Sequence, residues 1–161
     1  MKSPHPALLV VAVVVSGTSQ AMISAPASWV WLHPLSWIPA FWVFNQVEGA
    51  RAFRFGWLCG ISGQAAIFYW LIDTITVFSN LPLFAAVLIL LAFSALFGFY
   101  VGIFAWGFQL VRRLSGAWWP VAIAAWFCAC EYLNPQIFPY FQGVAWYLSL
   151  IHISEPTRRT P

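Results

Sequence analysis

The segment from Leu83 to Val111 contains 29 consecutive residues without a charged side chain. As one α-helix it would be about 43 Å long, at about 1.5 Å per residue. The hydrocarbon core of a bilayer is about 30 Å thick, so this helix would cross it with a tilt or project into the water. The segment therefore predicts a membrane-spanning helix.

The composition of the whole chain agrees with a membrane location. Charged residues make up 7% of the 161 residues and hydrophobic residues 62%, and the mean hydropathy is +0.82. Soluble domains have about 25% charged residues, so a soluble globular domain, a disordered tail and a disulfide scaffold are excluded. The pI of about 9.0 reflects a net charge of only +3, which gives no basic face for nucleic acid.

Five segments are candidates for membrane spans, and together they predict an all-α polytopic bundle of about five transmembrane helices. We expect this bundle to form one domain over residues 1–147 that is incomplete at its C-terminus. Two prolines, Pro34 and Pro39, interrupt the second segment. The segments are Ala7–Ala25, Trp29–Phe44, Phe55–Phe78, Leu83–Val111 and Ala117–Leu133.

The basic residues predict the orientation of the bundle. Up to Tyr147 they fall before the first segment and in alternate connections, and therefore on one face; they are Lys2, Arg51, Arg54, Arg112 and Arg113. The positive-inside rule makes that face cytoplasmic, so the N-terminus is expected on the cytoplasmic side of the membrane. A cleaved signal peptide ending near Ala21 is the alternative for the first segment, and it leaves the later orientation unchanged.

Small residues recur every fourth position on two of the segments. Such spacing lets helices approach closely in lipid, and we favour packing within the chain over a dimer interface. The packing candidates are Gly56 and Gly60 on the third segment, and Ser94, Gly98 and Gly102 on the fourth.

The sequence contains no recognisable catalytic or metal-binding motif. Cys59, Cys128 and Cys130 lack the spacing of a zinc or redox site, and His5, His33 and His152 lack that of metal ligands. No metal site is therefore expected.

Two acidic residues are the candidates for a polar site. Asp73 lies in the outer third of the third segment, close to Tyr69 and Trp70, and Glu131 ends the fifth segment on the same side. Intramembrane acidic residues are costly and often functional, so both could face a groove for lipid or substrate. Hydration at the outer surface, or hydrogen bonding to neighbouring groups, is the alternative for each.

The C-terminal stretch LSLIHISEPTR, residues 148–158, resembles the translation of a transposase-type sequencing-library adapter. We expect residues 148–161 not to be native, so that the native sequence is cut off near Tyr147. A genuine polar tail is the alternative.

Several motifs, in order, resemble the N-terminal membrane region of apolipoprotein N-acyltransferases. These are a first helix ending in Ser24-Ala25-Pro26, Ile38-Pro39, the glycines of the third segment with Tyr69-Trp70, Phe78-Ser79-Asn80-Leu81-Pro82, and Glu131-Tyr132-Leu133-Asn134 followed by Phe138-Pro139-Tyr140 and Gly143. The last stretch is similar to the family's E-W-L-R and G-F-P-W motifs. It departs from them at Tyr132, Asn134 and Tyr140.

The resemblance implies a bacterial inner-membrane enzyme that transfers an acyl chain from a phospholipid to a diacylglyceryl-cysteine at the N-terminus of a lipoprotein. In the family, a Cys nucleophile, a Glu base and a Lys lie in a nitrilase-like domain after the membrane helices, and no metal or cofactor is used. We expect this chain to lack that triad and to be inactive alone. Its groove candidates, with those from the family motif, are Asp73, Tyr69, Trp70, Glu131, Pro139 and Tyr140.

Two other functions stay open on the sequence alone. A small multi-pass transporter or channel subunit would need paired intramembrane charges or repeated halves, and Asp73 has no basic residue at its depth. A non-catalytic membrane scaffold that binds partners through the Gly98 face requires almost nothing of the sequence.

Overall fold

The computed structural model describes residues 4–23 and 29–134. Every regular element in these ranges is helical, so the all-α expectation is confirmed for them. Short 3-10 turns at 20–23, 30–32 and 116–118 join some of the helices. The α-helices are α1 (Pro6–Ser19), α2 (His33–Ser36), α3 (Ile38–Phe44), α4 (Gly49–Ile67), α5 (Leu71–Ser79), α6 (Leu83–Phe97), α7 (Phe99–Leu114) and α8 (Trp119–Leu133).

Proline marks the start of four of these helices. Pro6, Pro34, Pro39 and Pro120 lie in the first turns of α1, α2, α3 and α8. Proline has no N–H to donate and its fixed φ suits the first helical positions, so it begins helices and interrupts them elsewhere. The predicted segment Trp29–Phe44 is accordingly divided into α2 and α3.

Helices α6 and α7 form one nearly continuous run of 32 residues, Leu83–Leu114. They meet at Gly98, which keeps right-handed backbone angles (φ −78°, ψ −7°) and donates its N–H to the Ser94 carbonyl at 2.8 Å. This run corresponds to the predicted segment Leu83–Val111.

The predicted segment Phe55–Phe78 is broken. Helix α4 ends at Ile67, and α5 leaves its axis at 59°. Around the bend, two hydrogen bonds span three residues instead of the four of an α-helix. They run from Leu71 N–H to the Phe68 carbonyl and from Ile72 N–H to the Tyr69 carbonyl. Helix α5 then ends at Asn80, in the left-handed conformation (φ 50°) that asparagine tolerates better than most residues.

Within the described residues, the run Leu83–Leu114 is long and apolar enough to cross a bilayer as a single helix. Helices α4 and α5 meet the same criterion only as a bent pair, and α1 belongs to a shorter apolar helix. Self-sufficient spans are therefore fewer than the five predicted, because prolines divide the second segment and the bend divides the third.

Helices α4 and α7 form the centre of the bundle. Gly56 lies against Val101, Gly102 and Ala105, whereas Gly60 lies against Gly98, so the two helices are antiparallel. Helix α1 packs on α4, and α8 packs on α7. The core between them is aromatic, and Phe44 and Phe104 are completely buried.

One end of the bundle, which we call the arginine end, gathers Arg51, Arg54, Arg112 and Arg113 with Asn45 and Glu48. Arg113 forms an ion pair with Glu48, and Arg112 donates a hydrogen bond to Asn45 Oδ1. Nearby, Gln109 Nε2 donates to the Phe44 carbonyl at 2.9 Å. These contacts tie the α3–α4 connection to the end of α7, as expected if both lie on one face.

Candidate functional site

A groove of about 550 Å³ opens between the segment 33–45, α7 and α8. Its volume is within the range of about 300–1,000 Å³ that is usual for small-molecule sites. Apart from a few polar groups, its walls are aromatic and aliphatic. The lining residues are His33, Pro34, Trp37, Phe41, Asn45, Phe104, Phe108, Trp119, Pro120, Ile123, Ala124, Phe127 and Cys128.

Ring contacts hold the inner wall of the groove. The Phe104 and Phe127 ring centroids are 5.1 Å apart at 87°, and those of Trp37 and Phe127 are 5.2 Å apart at 81°. Edge-to-face pairs of this kind are favourable because the positive ring edge meets the negative face. Trp126 Nε1 also donates to the Phe104 carbonyl at 3.1 Å, which fixes α8 on α7. The walls of the groove are therefore held in place by contacts within the core.

Arg112 lies at one end of the groove. Besides its hydrogen bond to Asn45, its guanidinium carbon lies 5.9 Å from the centroid of the Trp119 ring, within the range of a cation–π contact. Asn45 and Trp119 both line the groove. The mouth at the arginine end thus combines an exposed positive charge with an apolar interior.

The predicted groove residues Tyr69, Trp70 and Asp73 lie at the other end of the bundle. All three are exposed, and they lie on α5 or in the bend before it. Helix α5 buries none of its residues and packs against α6. Asp73 is therefore a surface residue in the described part of the chain.

Glu131 is buried, with 8% of its surface exposed, and lies on α8. Three residues later, Asn134 Nδ2 donates to the Phe97 carbonyl at 3.4 Å. A cavity of about 180 Å³ lies beside this end of α8, between it and α7. Helix α8 packs on α7, whereas α5, which carries Asp73, packs on α6. Pro139 and Tyr140 lie outside the described residues.

The predicted packing residues lie at the crossing of the two long helical runs. A Cβ added to Gly60 would come within 2.8 Å of the Gly98 Cα atom, and one added to Gly102 within 2.9 Å of the Phe53 ring. Gly56 lies against the Ala105 side chain and the Val101 carbonyl. Ser94 is completely buried, and its hydroxyl has no hydrogen-bond partner among the described residues.

In the described ranges, no group of three or more His, Cys, Asp or Glu residues could hold a metal ion. Cys59 and Cys130 are buried free thiols, and Cys128 is an exposed one on the wall of the groove. Cys59 and Cys130 pack in the apolar core, where a thiol occupies space as a small apolar group.

The groove between the segment 33–45, α7 and α8 was not predicted from the sequence. Its lining comes from three separate segments, and no short motif joins them. A weak signal was present on α8, where Pro120 and Ala124 are small residues one helical turn apart among aromatic ones.

The fold and these surfaces define an all-helical bundle with apolar outer faces, a central α4–α7 pair and arginines at one end. The sequence model of the apolipoprotein N-acyltransferase N-terminal domain matches residues 16–156. The chain therefore belongs to that family, and the resemblance seen in its motifs is confirmed.

A curated relative agrees with this assignment. The apolipoprotein N-acyltransferase of Chromobacterium violaceum is 28% identical over 120 residues, which are 74% of this chain and 23% of that protein. The chain thus spans less than a quarter of the relative's length. No solved structure matches the chain.

Proposed function

We propose that this chain is the N-terminal membrane domain of an apolipoprotein N-acyltransferase in a bacterial inner membrane. The match of the family's N-terminal domain over residues 16–156 carries this proposal. The chain's apolar composition and its 32-residue apolar run support a membrane location.

The arginine end supports a cytoplasmic location for the α3–α4 and α7–α8 connections. Four arginines gather there, whereas the connection 80–82 at the opposite end contains no Lys or Arg. By the positive-inside rule the chain would cross five times, as α1, α2 with α3, α4 with α5, α6 with α7, and α8. The shorter of these spans would cross only as parts of the packed bundle. There, neighbouring helices can form hydrogen bonds with the backbone N–H and C=O groups that the breaks leave unpaired.

The full-length enzyme would transfer an acyl chain from a phospholipid to the N-terminal diacylglyceryl-cysteine of a lipoprotein. The part of it in this chain would anchor the catalytic domain and shape the access of lipid at the end opposite the arginines. Tyr69, Trp70 and Asp73 would meet lipid there, as would Glu131 with Pro139 and Tyr140. We propose that the 161-residue chain alone has no acyltransferase activity, since its described cysteines lie on helices of the bundle.

Alkaline phosphatase fusions test the membrane placement. The enzyme would be joined after Glu48, after Asn80 and after Ser115. Since it is active only outside the cytoplasm, we expect activity from the Asn80 fusion alone. Activity after Glu48 or Ser115 would contradict the five-span topology.

Activity assays test the enzymatic part. Residues 16–134 would replace the aligned part of the Chromobacterium violaceum enzyme, and the chimera would be scored for acyl transfer to a diacylglyceryl lipopeptide. We expect transfer by the chimera and none by the purified 161-residue chain. Transfer by the chain alone would refute its proposed inactivity. Resequencing the source locus beyond Tyr147 tests the prediction that residues 148–161 are adapter-derived.

A further inference from the structure

The groove between the segment 33–45, α7 and α8 has the shape and chemistry of a site for an acyl chain. Its walls are mainly aromatic and aliphatic, and its volume is about 550 Å³. Trp37, Phe104 and Phe127 form its inner wall through edge-to-face contacts. In lipid, such a groove is filled by whatever apolar group can reach it, because an empty volume forfeits dispersion contacts.

Charge at the mouth indicates which kind of molecule fills the groove. Arg112 donates to Asn45 and lies over Trp119, so its guanidinium is held between two lining residues. A guanidinium has five N–H donors, and Asn45 Oδ1 accepts from one of its nitrogens. Phosphate oxygens are the acceptors that fit the remaining donors best.

The surroundings of Arg112 increase the positive potential. Arg51 and Arg54 are exposed on the first turns of α4 at the same end of the bundle, and Glu48 is already paired with Arg113. Among the described residues, the arginine end therefore carries more positive than negative charge. Basic pockets between helices on the cytoplasmic side are typical sites for anionic lipid headgroups.

We infer that this groove binds one anionic phospholipid of the leaflet at the arginine end, with an acyl chain against Trp37 and Phe127 and the headgroup phosphate on Arg112. The inference rests on the proposed membrane placement. It adds a lipid site on the opposite side of the membrane from the proposed acyl transfer, so this lipid is bound and not consumed.

Native mass spectrometry of the full chain, released from detergent micelles, tests the headgroup contact. The probes are phosphatidylglycerol and phosphatidylcholine with identical acyl chains. We expect one phosphatidylglycerol to be retained in preference to phosphatidylcholine. Arg112→Gln should weaken its retention about fivefold, the order expected for one arginine against an anionic lipid. The matched control is Arg51→Gln, which removes an exposed charge of the same end that contributes only to the general potential, so we expect a smaller loss of retention than from Arg112→Gln.

A second pair of variants tests the groove itself. Ala124→Trp fills the groove from α8, whereas Ala125→Trp adds the same side chain at the next position, which is exposed and does not line the groove. We expect loss of phosphatidylglycerol from the first variant and retention by the second. Circular dichroism would check that each variant keeps its helix content.

Three outcomes would overturn the inference. The first is equal retention of the two lipids by the unmodified chain, and the second is an equal effect of the two members of a variant pair. The third is a dimer that Ala124→Trp dissociates, because a second copy of the chain would then occupy the groove. The first outcome needs no variant, so it decides even if a variant fails to fold. Failure of the proposed function would give different results. The alkaline phosphatase fusions would show another topology, or the chimera would not transfer an acyl chain, while the preference for phosphatidylglycerol persisted.

Discussion

Gly60 of α4 and Gly98, between α6 and α7, lie backbone against backbone where the two central helices cross. A Cβ added to Gly98 would lie 2.5 Å from the Gly60 carbonyl carbon and 2.7 Å from the Ile61 amide nitrogen. Both of these atoms are backbone and cannot move aside as a side chain can. The distance between the helices therefore depends on the absence of a side chain at both positions.

Gly98→Ala should destabilise the bundle, although alanine is the better helix former. We expect a loss of about 1–3 kcal/mol, the usual cost of forcing extra volume into a packed interface. Thermal unfolding of the purified chain in detergent, followed by circular dichroism, measures it.

Gly63→Ala is the matched control for that experiment. The nearest atom to its added Cβ, the Gly17 carbonyl oxygen, lies at 3.3 Å, so a small adjustment accommodates the methyl group. If Gly98→Ala unfolds no earlier than Gly63→Ala, the close crossing is not a structural requirement.

The same substitution at two buried serines should have opposite effects. Ser16 Oγ donates to the Ser36 carbonyl at 2.5 Å, whereas the Ser94 hydroxyl has no partner in the described part of the chain. Ser16→Ala should lower the free energy of unfolding by about 1–2 kcal/mol, and Ser94→Ala should raise it by about 1 kcal/mol, because an unpaired buried hydroxyl is unfavourable. Denaturant or thermal unfolding compares the two, and effects of the same sign would contradict this explanation.

Trp126→Phe should loosen α8 from α7. The substitution removes the hydrogen bond to the Phe104 carbonyl and leaves that acceptor unpaired, at an expected cost of about 1 kcal/mol. Trp106→Phe, at an exposed position on α7, is the control. Hydrogen exchange of α8 amides measures the change, and equal protection in the two variants would show that the indole N–H does not hold the helix.

Breaking the ion pair between Glu48 and Arg113 should change little. Both side chains are more than half exposed, and exposed pairs contribute about 0–1 kcal/mol. Glu48→Gln should therefore leave the unfolding midpoint nearly unchanged at moderate salt. A large loss of stability, insensitive to salt, would indicate that the pair is shielded from solvent.

Local features of the sequence predicted most of the helices. Pro34 and Pro39 already indicated an interrupted second segment, since proline removes a donor and fixes φ. The glycines and Ser94 predicted where helices could approach, because spacing along one helix determines which residues share a face. The proline positions and the spacing of small residues are local properties of one helix, so they can be read from the sequence.

The bend after Ile67 and the groove could not be predicted in this way. The stretch from Phe55 to Phe78 is mostly apolar and contains no proline to mark the break. Asp73 was placed on a straight helix for this reason, whereas it lies on α5. The groove joins Asn45 to Trp119 across 74 positions of sequence, so only the packed structure brings its walls together.

The 59° bend turns α5 away from the axis of α4, so the two ends of the described bundle present different surfaces. Helix α5 is about 13 Å long at about 1.5 Å per residue, and it runs largely sideways. It forms a ledge at the end opposite the arginines, with Val77 and Phe78 facing outward at 71% and 83% exposure. Among the described residues, that end therefore presents an apolar shelf, whereas the arginine end presents charged side chains.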